Sequence, residues 1–344
     1  MTELGVKIRE LLNPKNINLK HLGGKVIAID AMNVLYQFIS SIIRADTGEL
    51  LKSESGKITS HISGLFYRSI SLIEKRINPI YVFDGKPSML KRDTINYRKK
   101  IRDDAKEVHE KAIKEGDIKK AYKYAKSSFR VNTEMINDSK EFLKIMGIPY
   151  VQAESEGESQ AAYMVEKGDA WAVGSQDYDS ILFGSQILIR NLTISGKRRS
   201  QGGKIITIEP EIIKLKDVLK ENNLTRDQII DIGILIGTDF NDGIKGIGIK
   251  TALKYIKKYG DFKTICSNKN INIEWDYESI KKIFLEPKVN TNYEIKKLKP
   301  NYEKLEELLI TEYNFNEIRI KNGLKRLKKG RKAQNQRNID SFFS

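Results

Sequence analysis

Seven acidic side chains fall where they could work together. Lys25-Val-Ile-Ala-Ile-Asp30 and Pro79-Ile-Tyr-Val-Phe-Asp84 are short apolar runs suited to buried strands, and each ends in aspartate. Glu156 and Glu158 flank Gly157 in a turn that enters a helix. Asp177 and Asp179 flank Tyr178, after the strand-like Ala170–Val173, and Asp239 follows an apolar helix at 225–236. Ligands of open α/β sheets bind beyond the carboxyl ends of the strands, so an acid there points into the crevice. Taken singly, each is an ordinary helix cap or surface acid. Gathered in one place, carboxylates repel and raise one another's pKa unless a cation joins them. Oxygen ligands without His or Cys suit Mg²⁺ or Mn²⁺ rather than Zn²⁺. Several acids in one cleft can hold two ions roughly 4 Å apart, an arrangement that cleaves phosphodiesters.

The elements that must position these acids alternate. After the first strand, Ala31 to Arg44 has apolar residues at helical spacing, 46–57 is a polar loop, and Ile58 to Arg76 is amphipathic. Helices are expected at Asn132–Met146, at Ser159–Lys167 and from 250 onward. A strand pair is expected between Ile187–Asn191 and Lys204–Ile208. Strands separated by helices imply an α/β fold with a central, largely parallel sheet flanked by helices. Residues 88–130 lack a strong apolar face, which is odd for a packed helix.

Composition bounds the class. The 344 residues, 40% hydrophobic and 31% charged, are ordinary for a chain that buries a core. The apolar runs are too short for a membrane span, the first residues carry no export signal, and the single Cys266 excludes an internal disulfide framework. An intracellular location is expected. The net charge of +16 favours a polyanionic partner. Residues 86–130 hold 15 Lys/Arg against 7 Asp/Glu, and 318–337 hold 9 Lys/Arg and no acid.

Five ordered motifs carry a resemblance: Val-Ile-Ala-Ile-Asp30-Ala-Met-Asn, Tyr-Val-Phe-Asp84-Gly-Lys-Pro, Glu154-Ser-Glu156-Gly-Glu158-Ser-Gln-Ala-Ala, Ser175-Gln-Asp177-Tyr-Asp179-Ser and Gly237-Thr-Asp239-Phe. They resemble the flap endonucleases of the XPG-like 5′-nuclease superfamily, best the archaeal type, which implies the cytoplasm or nucleoid of an archaeon. The resemblance implies a Mg²⁺-dependent, structure-specific DNA nuclease with two ions per site, Mn²⁺ able to substitute. Its seven ligand positions fall on Asp30, Asp84, Glu156, Glu158, Asp177, Asp179 and Asp239. By family analogy Asp84, Glu156, Glu158 and Asp177 lie near the first metal, and Asp179 and Asp239 serve the second. The implied organisation is a nuclease region at 1–98, a helical arch continuing over 99–130, an internal nuclease region at 131–260, a helical region at 261–330 and a flexible tail at 331–344. One departure is at the start: family members begin Met-Gly, whereas here Gly5 follows Thr-Glu-Leu.

Further residues match by the same route. Lys91, Ile95, Arg98 and Arg102 would form one stripe of a helix. Lys91 and Arg98 match two basic arch residues that stabilise charge on the scissile phosphate. The 5′ flap would thread beneath the arch, which accounts for the missing apolar face. Tyr36 matches an aromatic that stacks on a base near the cut. Thr59 and Arg68 resemble parts of a pocket for a one-nucleotide 3′ flap. Gly243, Gly246 and Gly248 with Lys250 form a helix–hairpin–helix type signal, whose backbone amides can approach a phosphate and which in the family also holds K⁺. Gln336, Ile339, Phe342 and Phe343 resemble a box that binds the sliding clamp, PCNA. The expected partners are branched double-stranded DNA with a 5′ flap and the clamp, with no membrane, for a chain acting as a monomer. A bubble- or gap-cutting nuclease and a non-catalytic DNA-junction or clamp-binding scaffold are the alternatives.

Overall fold

Alternate residues of the strand Val26–Asp30 leave on opposite sides, and both sides are buried. Ile27 and Ile29 enter one core while Ala28 enters another. A strand covered on both faces needs helices on both, and the chain supplies them. The computed structural model describes residues 5–44, 49–194, 196–199, 205–296 and 298–340, with 335–340 described by backbone alone.

In chain order the strands are β1 (Lys15–Asn16), β2 (Val26–Asp30), β3 (Asn78–Phe83), β4 (Tyr150–Gln152), β5 (Ala172–Gly174), β6 (Ile187–Arg190), β7 (Gly196–Arg199), β8 (Ile205–Ile208) and β9 (Glu211–Lys214). The helices before β6 are α1 (Ala31–Ser41), α2 (Ser60–Glu74), α3 (Arg92–Lys114), α4 (Ile118–Ser128), α5 (Thr133–Ile145), α6 (Gly157–Glu166) and α7 (Asp179–Leu182). After β9 come α8 (Leu215–Asn222), α9 (Arg226–Ile236), α10 (Ile249–Tyr259), α11 (Phe262–Lys269), α12 (Tyr277–Leu285), α13 (Tyr302–Glu307) and α14 (Glu317–Asp340).

Seven strands form the main sheet in the order β1-β9-β6-β5-β2-β3-β4. β4, β3, β2, β5 and β6 run parallel, and β9 and β1 close one edge antiparallel. The fold is therefore α/β with a largely parallel sheet, as the strand–helix alternation implies. On one face Ala28, Ile80, Val82 and Val173 pack against α6, α9, α10, α11 and α12. On the other, Ile27, Ile29, Tyr81 and Phe83 pack against α1, α2, α5, α13 and α14. The chain order reverses at β2, between β3 and β5, which places the ligand crevice at their carboxyl ends.

The strand pair expected at 187–191 and 204–208 does not form. β6 lies parallel to β5 and antiparallel to β9, while β8 pairs with β7 in a separate hairpin. Leu188 and Ile189 are fully buried, and a strand buried on both faces is a sheet member with neighbours on both sides, not half of an isolated ribbon. The segment 88–130 folds as a 3₁₀ turn (Met89–Lys91) and the α3–α4 hairpin. Among the described residues its helices bury small groups and one ring: Ala105, Ala112, Ala121, Ser128 and His109, whose Nδ1 lies 2.8 Å from the Ala121 carbonyl. α14 continues as helix through Asp340 rather than ending near 330. Its Lys, Arg, Leu, Ala and Gln residues are good helix formers. No helix among the described residues is long and apolar enough to cross a membrane.

Candidate active site

The acids are delivered by the ends of strands, by the start of α6 and by the end of α9. Asp30 terminates β2 and caps α1, accepting the Asn33 N–H at 3.0 Å. Asp84 follows β3 and accepts the Gly157 N–H at 2.7 Å. A side chain at 157 would put its Cβ 2.6 Å from Asp84 Oδ1, so this close approach needs glycine. Glu156 precedes α6 and Glu158 lies in its first turn. Asp177 and Asp179 follow β5, and Asp239 follows α9.

These seven carboxylates crowd one another. Burial raises the Asp84 carboxyl to about 7, helped by Asp30 and Glu156. Burial likewise raises Asp179 to about 7, helped by Asp239. Asp30 is pushed up to about 6 by burial, against hydrogen bonds and Lys91 that favour its charged form. Glu158 and Asp177 are held well above the carboxylate range by burial first and then by Asp179. Glu158 Oε1 is buried with no hydrogen-bond partner. An acceptor left bare among raised acids is what a site built for a cation presents.

Lys91, at the end of the 3₁₀ turn, and Arg98, on α3, reach into this cluster. Lys91 Nζ pairs with Glu156 Oε2 and lies 3.1 Å from Asp239 Oδ2. Arg98 Nη2 lies 2.5 Å from Asp239 Oδ1. Burial would pull the Lys91 ammonium down, but Glu156 and Asp239 outweigh it and hold the pKa above its ordinary value. With these contacts made, no three described carboxylates close on one point as metal ligands do. The donor set nevertheless fits a hard divalent ion: all oxygen, buried or half-buried except for Asp84, and short of counter-charge.

The comparisons with known proteins point the same way. The XPG N-terminal domain matches residues 5–105 and the XPG I-region matches 147–239. Flap endonuclease 1 of Pyrococcus abyssi is 48% identical over 342 residues, covering 99% of this chain and 98% of that protein. Flap endonuclease 1 of Methanosarcina acetivorans is 46% identical over 341 residues, covering 99% and 100%. This chain belongs to the flap endonuclease family. The solved structure of flap endonuclease-1 from Methanococcus jannaschii superposes with a TM-score of 0.75 at 40% identity, covering 95% of this chain and 98% of that one. The catalytic core of Rad2 in complex with DNA substrate shares the fold, with a TM-score of 0.69 at 22% identity.

Other groups position the flap endonuclease carboxylates without having stood out in the sequence. The Val6 N–H donates to Asp179 Oδ1 at 2.7 Å. Gly5 beside it has φ +82°, and a Cβ there would lie 2.9 Å from the same oxygen. The Asn33 amide donates to Asp177 Oδ2 at 2.8 Å, and the Asp177 N–H donates to Ser175 Oγ at 3.2 Å. Asn33 was readable three residues after Asp30, but no local pattern ties Val6 to Asp179.

The remaining expected residues lie around the crevice. Tyr36 is half-buried on α1 against the α1/α2 core. Thr59 is buried just before α2, whereas Arg68 is exposed nine residues on, about 13 Å along the helix; the two do not meet at one point. Gly243 and Gly246 lie in the turn between α9 and α10, and Gly248 caps α10. Lys250 stands exposed in the first turn of α10, 3.6 Å from Glu10. Gln336 and Ile339 are on the backbone of α14, and Phe342 and Phe343 lie outside the described residues.

Proposed function

We propose that this flap endonuclease cuts branched double-stranded DNA carrying a 5′ flap, hydrolysing one phosphodiester near the junction to leave a 5′-phosphate and a 3′-hydroxyl. A single observation carries the reading: seven acids from five separate segments lie within electrostatic reach of one another near the carboxyl ends of the sheet, with Lys91 and Arg98 at their edge. The seven acids would hold two Mg²⁺ ions, with Mn²⁺ able to substitute. Bound there, the ions lower the pKa of an attacking water and offset charge on the phosphodiester. The chain does the rest. Val6, Asn33 and the Gly157 amide aim the carboxylates before substrate arrives. Lys91 and Arg98 exchange Glu156 and Asp239 for the scissile phosphate and stabilise the charge that develops on it. Tyr36 stacks on a base near the cut.

The α9–α10 turn would grip the uncleaved duplex through its backbone amides, and its carbonyls would hold a K⁺ ion that offsets phosphate charge. Such contacts read no base edges, so recognition follows shape, and affinity falls steeply with salt. The reaction belongs to Okazaki-fragment maturation and long-patch repair, with 5′–3′ exonuclease action on the same site. The chain works as a monomer docked on the sliding clamp through Gln336, Ile339, Phe342 and Phe343. The test is cleavage of a double-flap DNA with and without Mg²⁺. Cutting at the junction only with Mg²⁺ supports the reading; no cutting, or equal cutting in EDTA, refutes it.

A further inference from the structure

The arch carries two stripes, and the catalytic reading uses only one. Lys91 and Arg98, half-buried, reach the acids, and half-buried Arg102 continues their stripe one turn on. Beside them, rotated by about a quarter turn, runs a row of apolar side chains open to solvent. Leu90 is 39% exposed, Tyr97 68% and Ile101 44%. Their positions precede Lys91, Arg98 and Arg102 by one residue each. Neither core uses this row, and α4 packs farther along α3, on Ala105, His109 and Ala112.

We propose that Tyr97 and Ile101, with Leu90 at the entrance, form a stacking platform for the bases of the single-stranded 5′ arm. The inference rests on the flap endonuclease reading and adds a subsite to it. An unpaired strand presents phosphates along one edge and base faces along the other. The paired rows match that chemistry, with one ammonium and two guanidinium groups for phosphate and apolar groups for bases. A double helix hides its base faces and offers nothing to the apolar row. Tyr97 and Ile101 are one helical turn apart, about 6 Å, which is room for about two bases at a stacked spacing of about 3.4 Å. Asp104, seven residues after Tyr97, closes the row with a charge that repels phosphate. Stacking on a ring tolerates any base, so the platform distinguishes single strands without reading sequence.

The test compares two double-flap DNAs bound by the full chain in EDTA, one with an intact 5′ arm and one whose arm keeps its phosphates but lacks bases. Wild type binds the intact arm about fivefold tighter or more, the scale of one stacked base. Tyr97→Ala and Ile101→Ala bring that ratio toward one, and Tyr97→Phe keeps it. These are surface positions, so the variants fold. A wild-type ratio of one, or variants that keep the wild-type ratio, overturns the proposal. Wild-type cutting of the intact DNA with Mg²⁺ is read alongside. Failure there removes the activity on which the platform depends, and the platform with it; a ratio of one with cutting retained removes the platform alone.

Discussion

Lys91 Nζ lies 3.1 Å from Asp239 Oδ2 while also pairing with Glu156, so one ammonium at the start of the α3–α4 hairpin bridges the acid that caps α6 and the acid that follows α9. The contact does two things. It neutralises part of a carboxylate cluster that would otherwise repel itself. It also ties the start of the α3–α4 hairpin to the crevice.

Replacing Lys91 by Met removes that bridge and keeps most of the stem's packing. The cleavage rate at saturating DNA is expected to fall about 10²-fold to 10³-fold, the scale for losing one preorganised group that offsets developing charge. Thermal stability in EDTA should fall as well, because Glu156 and Asp239 lose their partner. Single-turnover cleavage and a melting curve check both. A rate within a few-fold of wild type would remove Lys91 from the chemistry.

Gly5 and Asp179 form a second testable contact. Gly5→Ala would place a Cβ 2.9 Å from Asp179 Oδ1 on a backbone with φ +82°. The strain costs about 1–2 kcal/mol and is released by moving either Val6 or the carboxylate. Cutting should slow about tenfold or more, by conversion of that strain, with flap affinity unchanged. Asp179→Ala should bind flap DNA and lose Mg²⁺-dependent cutting. Undiminished cutting in Asp179→Ala would take this residue out of the site.

Stability should depend on pH in a direction opposite to that of ordinary salt-bridged acids. Asp30 is raised to about 6, and Asp84 and Asp179 to about 7, from an unfolded value near 3.8. The folded state therefore binds more protons than the unfolded state across that window. Unfolding free energy from these groups falls as pH rises from about 4 to about 7, and stays low above it. In EDTA the melting temperature of wild type, relative to that of Asp84→Asn, should fall over this range. Mg²⁺ should restore most at the upper end, where the acids are charged. A wild-type melting temperature that rises against Asp84→Asn from pH 4 to pH 7 would contradict the cluster.

Much of this was legible from the chain. Asp30 and Asp84 could be read because an apolar run ending in one acid has few meanings in an alternating α/β pattern. The two-faced burial of β2 follows from Val-Ile-Ala-Ile, and the partitions Ile27/Ala28 and Tyr81/Val82 confirm it. What could not be read depends on chain closure. Val6 meets Asp179 across 173 residues, and Lys91 meets Glu156 across 65. Neither pair has a local signal. The same blindness explains the strand pairing. Ile187–Arg190 and Ile205–Ile208 are close in sequence, so a hairpin was the economical reading. Burial of Leu188 and Ile189 instead put β6 inside the sheet beside β9. Glu158 showed a carboxylate but not that one oxygen would be buried and bare.

The proposed clamp box at 336–343 should be separable from the site. Deleting residues 336–344 should leave cleavage of a double-flap DNA intact and abolish stimulation by the sliding clamp. A steady-state assay with and without clamp reads this. Stimulation equal to wild type would mean that the clamp docks elsewhere.

The central claim is that dispersed acids form one divalent-metal site. The most direct measurement is anomalous diffraction from crystals soaked in Mn²⁺, collected at its absorption edge. Two peaks, each within about 2.0–2.3 Å of carboxylate oxygens from Asp84, Glu156, Glu158, Asp177, Asp179 or Asp239, are the expected result. Crystals that take up Mn²⁺ only outside this cluster, or not at all, would contradict it.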